Sequence, residues 1–160
     1  WFKKNTAGGP DSVERLHIRI PVEIVIGSTG KVANTKAMVA GVAERKKKNP
    51  VKYDSIFKQA ENLTFAGRKA LESYDLTKIG ELMNENHCLL QEIEVSSRDL
   101  DLLVDIALKN GALGAKLTGG GGGGCMVAFT PGKELQEKVA EAIEKEGYDV
   151  LRTKIGVEKL

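Results

Sequence analysis

Cysteine, proline and aromatic residues are scarce in this 160-residue sequence, and each scarcity removes a class of protein. The two cysteines, Cys88 and Cys125, lie in apolar surroundings with neither a CxxC spacing nor a histidine cluster. That excludes a disulfide framework and a zinc site and marks both as reduced core residues. Aromatics make up 5%, and 24 basic against 22 acidic residues leave a formal charge of +2. An RNA-binding sheet wants exposed aromatics and a basic face, so nucleic acid is not an expected partner, and neither is a charged membrane surface. No apolar run approaches the roughly 20 residues of a bilayer-crossing helix, and no charged-then-apolar leader is present, so the expectation is a cytoplasmic protein.

What is present suits one ordinary globular domain: 41% hydrophobic and 29% charged residues give enough apolar material for a real core. Leu16, Ile18, Ile20, Val22, Ile24 and Ile26 occupy every even position, the period of a half-buried strand. Pro21 lacks an N–H and places that strand at an edge or bend. A turn at 27–30 precedes a helix from Asn34 or Thr35, with Met38, Val39 and Val42 on one face and the basic run Arg45 to Lys48 as its solvated end. Further helices are expected at 53–72 and 76–93, then one capped by Ser96 and Asp99 and closed by Gly111. Strands at 116–118 and 125–130, a helix at 133–146 and a strand at 148–155 complete an α+β layout, helices on one face of a largely antiparallel sheet.

The most informative stretch is Gly114-Ala115-Lys116-Leu117-Thr118 followed by Gly119, Gly120, Gly121, Gly122, Gly123 and Gly124, then Cys125-Met126-Val127. Six residues without Cβ let backbone N–H groups approach an anion or another backbone closely. The pattern is neither GxxxxGK[ST] nor GxGxxG opening a helix, so it is no Walker loop and no dinucleotide fingerprint. A flexible linker is the plain alternative, opposed by the strand-like segments on both sides. His87 sits mid-helix among Leu and Cys, where it and Asn84 are expected to hydrogen-bond neighbouring loops, and His17 is expected to be exposed. Glu81, Glu85, Glu92 and Glu94 are spread around a helix and form no metal cage.

Gly111 to Cys125 closely resembles the third conserved motif of the GHMP small-molecule kinases in its mevalonate kinase form. Ser28 to Lys36, followed by Met38 to Val42, resembles that family's strand-turn-helix with an Asn-Thr-Lys or Asn-Thr-Arg core. Glu81 to Gln91, leading to Val95-Ser96, resembles its Met-Asn…Asn-His…Leu-Leu helix and the following Val-Ser. The resemblance covers roughly Trp1 to Ile155, with one departure: the second loop position, usually alanine, is Gly120.

The resemblance implies a ferredoxin-like C-terminal domain over 31–160. Residues 1–30 would be a strand segment continuing from a missing N-terminal kinase domain, with Trp1-Phe2-Lys3-Lys4 the tail of a strand already under way. It implies transfer of the γ-phosphoryl of ATP to mevalonate, in isoprenoid biosynthesis. ATP, Mg²⁺, the catalytic Asp and a Lys would be held mainly by that N-terminal half, so the chain alone is expected to be inactive. Here Gly119 to Gly124 would line the phosphate side, and Thr35, Lys36 and Thr118 would lie near substrate. The complete enzyme is expected as a possible homodimer. Two alternatives stand beside this one: another GHMP enzyme (phosphomevalonate, homoserine or galactose kinase, or diphosphomevalonate decarboxylase), or a non-catalytic ligand-binding or dimerisation module.

Overall fold

In the computed structural model the residues described are 2–5, 8–14, 16, 18 and 20–156. β1 (Phe2–Lys3) and β2 (Ser12–Val13) form an antiparallel ribbon with Phe2 opposite Val13. After β3 (Val22–Ser28) come α1 (Thr35–Lys48), α2 (Pro50–Ser73), α3 (Leu76–Glu92) and α4 (Arg98–Lys109). The chain then runs through β4 (Gly114–Thr118), β5 (Cys125–Phe129), α5 (Lys133–Lys145) and β6 (Asp149–Ile155). Strands β3 to β6 make one antiparallel sheet in the order β4-β5-β3-β6. Taken without α1 to α3, the order β3-α4-β4-β5-α5-β6 is the ferredoxin-like βαββαβ unit. The three remaining helices are an insertion after its first strand.

Each strand alternates sides, so the sheet carries two apolar layers. Val25, Ala115, Leu117, Met126 and Ala128 are buried against α4 and α5, the helical layer read from the sequence. On the opposite side Val22, Ile24 and Phe129 meet Ala70 of α2 and Ile79 and Leu82 of α3, so a second cluster adds cover there. α3 runs along the outer edge of β4 at backbone contact. A Cβ on Gly80 would lie 2.3 Å from the Leu113 carbonyl oxygen, and one on Gly114 2.3 Å from that of Gly80.

Several expectations need correction. The alternation from Leu16 does not make one long strand: β3 begins at Val22 and is an interior strand between β5 and β6, with Pro21 just outside the ladder. Pro21 therefore marks the strand's start, where its missing N–H removes no ladder bond. His17 lies outside the described residues. α2 starts at Pro50 rather than Tyr53, because Pro suits the first helical turn and Asn49 Oδ1 caps it by accepting the Lys52 N–H. α4 is capped by Ser97, not Ser96, and Val39 is 63% exposed instead of facing the core with Met38 and Val42. Arg45 is not merely a solvated helix end: its guanidinium donates to the Ile93 carbonyl at 2.8 Å and to Tyr53 Oη at 3.1 Å. Neither cysteine is core: Cys88 is exposed and Cys125 half-buried, both as free thiols.

Candidate functional site

β4 and β5 part after the Thr118–Cys125 pair, and the six glycines make the connection. Gly119, Gly121, Gly122 and Gly124 have φ of +82°, +76°, +74° and +76°, the left-handed region that penalises any Cβ. The run is not a loose linker, because backbone grips it from two sides. The Gly122 N–H donates to the Val95 carbonyl at 2.8 Å and the Gly124 N–H to that of Lys31 at 2.9 Å. Thr29 returns two bonds, its N–H and its hydroxyl both donating to the Gly124 carbonyl at 2.9 Å. At Gly121 the approach is so close that a Cβ would lie 2.0 Å from the Val95 oxygen.

α1 supplies the third side. Asn34 Oδ1 accepts the Ala37 N–H at 3.0 Å and caps the helix, whose first turn contains no acid. A helix start of this kind presents N–H groups and a partial positive charge to solvent. Thr35 opens the helix against the loop: a Cβ on Gly120 would lie 2.6 Å from Thr35 Oγ1, and one on Gly122 3.0 Å from Met38 Sδ. Gly120 is the one glycine of the six whose φ is not positive, which agrees with a position where the resembled family carries alanine. Loop and helix thus approach so closely at Gly120 that its missing methyl group is what lets them meet.

The structure brings Thr35, Thr118 and Gly119 to Gly124 to one end of the sheet. Thr118 is exposed there, in a cross-strand row with Cys125 and Ser28. Lys36 shares the first turn of α1 and is exposed, but the packing that joins this helix to the loop runs through Thr35 and Met38. Lys31 is an ion-pair partner of Asp99 at the start of α4, which braces the turn whose carbonyl holds Gly124.

Lys116 points away from α4, into a largely apolar cavity of about 380 Å³ under α2 and α3, lined also by Leu63, Met83, Val127 and Phe129. Burial holds its ammonium below the ordinary lysine range, and Nζ donates to the Leu117 carbonyl at 2.9 Å. Asn84 bonds the connection before β4, donating to the Leu113 carbonyl at 3.4 Å, and with His87 it also bonds the edge of β4 itself, through Ala115 and Leu117. Among the described residues no group of three or more His, Cys, Asp or Glu could hold a metal ion.

Sequence reasoning missed Thr29, Lys31 and Val95 as the loop's anchors. Lys31 and Val95 act through main-chain carbonyls, which every residue type possesses, so no side-chain pattern announces them. Asp101, the acceptor around which His87, Gln91 and Ser96 gather, was also missed. Its position one turn into a helix reads like ordinary helix-start acidity.

Residues 68–149, just over half of the chain, match the family model described as the C-terminal part of GHMP kinases. A mevalonate kinase of Pyrococcus horikoshii is 42% identical over 142 residues, covering 86% of this chain and 42% of that protein. One from Arabidopsis thaliana is 31% identical over 151 residues, covering 90% of this chain and 40% of that one. Among solved structures, L. major mevalonate kinase in complex with R-mevalonate superposes with a TM-score of 0.89 at 29% identity, over 94% of this chain and 47% of that one. The chain therefore spans less than half the length of these relatives.

Proposed function

The chain belongs to the GHMP kinases, as a C-terminal domain of that family, and from that premise we propose that it is the C-terminal portion of a mevalonate kinase. Joined to the N-terminal half, it would take part in moving the γ-phosphoryl of ATP to the C5 hydroxyl of mevalonate, in the cytoplasm, as a step of isoprenoid biosynthesis. The observation that carries this reading is the meeting of Thr35 with Gly120, which brings two separately recognised motifs into contact.

Catalysis of phosphoryl transfer rests on positioning and on cancelling charge. The residues present fit the phosphate side of such a site. Gly119 and Gly120, at the more exposed start of the loop, offer N–H groups not taken by Val95 or Lys31, and the acid-free start of α1 favours an anion beside them. Thr35 would orient the substrate or the catalytic carboxylate by its hydroxyl, and Thr118 would add a hydroxyl at the loop's root. Mg²⁺, the catalytic Asp and the nucleotide loop belong in this reading to the N-terminal half. Residues 1–30 would lead in from that half, with the β1–β2 ribbon as the part outside the four-stranded sheet. The Asn34-Thr35-Lys36 turn and the Lys116-Leu117-Thr118 lead-in favour mevalonate over other GHMP substrates.

Complementation tests the proposal. Supplying the N-terminal half of the Pyrococcus horikoshii relative to this chain should restore ATP-dependent phosphorylation of mevalonate, while each half alone gives none. Replacing Thr35 by Ala should lower turnover about 10²-fold or more if its hydroxyl positions a reacting group. Turnover of homoserine or galactose in preference to mevalonate, or robust turnover by this chain alone, would sink it.

A further inference from the structure

The Asn-His helix and the Val-Ser after it form the one motif to which the proposed reaction gives no task, yet Asn84, His87 and the Val95 carbonyl bond the hairpin that carries the glycines, and Ser96 bonds Asp101 beside His87. α3 lies where another strand would extend the sheet, and its side chains supply acceptors to the edge of β4. Asn84 Oδ1 accepts the Ala115 N–H at 2.9 Å and His87 Nδ1 accepts the Leu117 N–H at 3.3 Å. A backbone amide can only donate, so Nδ1 is unprotonated and the ring proton lies on Nε2, which donates to Asp101 Oδ1 at 3.1 Å. The same oxygen accepts from Ser96 Oγ at 2.6 Å and from Gln91 Nε2 at 2.9 Å, which holds the imidazole in one orientation.

We propose that neutral His87 is a positioning residue for the glycine loop: it fixes the Leu117 amide in the strand that leads into Gly119, and does so only while Nδ1 is unprotonated. The inference rests on reading that loop as the phosphate side of a kinase site, although its test does not. On protonation both ring nitrogens become donors, and Nδ1–H would face the Leu117 N–H.

The groups around the ring pull both ways. Burial disfavours the imidazolium, Asp101 of α4 favours it, and Lys116 of β4 opposes it, with Arg98 and Asp105 of α4 bordering the same surface cleft. Burial wins, and the ring, in a residue only 5% exposed, titrates below the ordinary histidine value of 6.5. A histidine lowered in this way contributes stability that is complete above the unfolded value of 6.5 and is lost as pH falls from there through the folded value.

The experiment follows ¹⁵N-labelled chain from about pH 8 to about pH 5, the interval in which histidine titrates. The ring nitrogens should report the Nε2–H tautomer at neutral pH, and the amides of Leu117 and of residues 119–122 should move with the His87 midpoint. His87→Asn, which can still present an oxygen acceptor, should keep Leu117 protected and abolish the titration. With no acceptor, His87→Phe should exchange the Leu117 amide roughly five- to tenfold faster while Val25 in the central strand is unchanged. A proton on Nδ1, loop amides indifferent to the His87 midpoint, or unaltered Leu117 exchange in a folded His87→Phe chain would each overturn the proposal. Should that variant not fold, tautomer and titration in the unaltered chain decide alone. ATP-induced shifts at Gly119 and Gly120 in the complemented enzyme are read separately, and their absence rejects the nucleotide reading without touching this coupling.

Discussion

At Gly120 and Gly121, neighbours of identical chemistry stand under different constraints. Gly121 has φ +76° and leaves a Cβ only 2.0 Å from a backbone oxygen, whereas Gly120 has no positive φ and would press a Cβ on the side chain of Thr35. Gly121→Ala should therefore cost more than about 2 kcal/mol, since left-handed strain and a backbone clash add. Gly120→Ala gains roughly 0.4–1 kcal/mol from the unfolded state and loses a comparable amount as the start of α1 gives way, so its net change should stay within about 1 kcal/mol. Denaturant unfolding of the two variants checks the contrast, and amide shifts confined to Thr35 and its neighbours should accompany the second. Equal losses would mean that the loop is not held as described. The glycine loop and the Asn34 cap were legible because glycine and asparagine-threonine patterns report backbone needs, whereas Thr35, Lys36 and Thr118 were named beside them only through the family resemblance. The anchoring carbonyls of Val95 and Lys31 were not, because a main-chain acceptor leaves no mark on residue type.

Helices were read more faithfully than the first long strand, and the cause lies in their ends. Asn34, read as a cap, accepts a backbone N–H at the start of α1, a local event the sequence states directly, whereas the Asn49 cap was passed over and α2 was started at Tyr53 instead of Pro50. The strand was overextended because alternation persists through 16–20 while ladder pairing starts only at Val22. Ser96 was misread as a cap because its hydroxyl donates to Asp101 in the first turn of α4 at 2.6 Å, which leaves capping to Ser97. A contact distant in sequence controls Gly80. In an isolated helix Gly80→Ala would gain up to about 1 kcal/mol of propensity. Here the new Cβ meets the Leu113 oxygen at 2.3 Å, so α3 must move off β4 and a net loss above about 2 kcal/mol is expected. A lower thermal midpoint together with lost protection of the Ala115 amide, whose acceptor is Asn84, would establish the effect; a stabilised protein would refute the backbone contact.

On the scale of the whole molecule, two apolar layers share one sheet, and β5 serves both. Met126 and Ala128 belong to the cluster under α4 and α5, while Phe129 belongs to the cluster with α2 and α3. Neither layer can lose the sheet and persist, so the described sheet and the helices on it should unfold as one cooperative unit. Phe129 tests this because it is 1% exposed and its carbonyl also accepts the Leu113 N–H at 3.0 Å. Truncating a buried phenylalanine costs about 3–5 kcal/mol, a large fraction of the about 5–15 kcal/mol by which domains are stable. Phe129→Ala should therefore lower protection of the Leu82 amide in α3 and the Leu103 amide in α4 by the same factor, although only the former helix lies on the side of the lost ring. Retained protection at Leu103 beside lost protection at Leu82 would show two separately stable layers, and the inserted helices would then be an accessory to the ferredoxin-like unit instead of a part of its core.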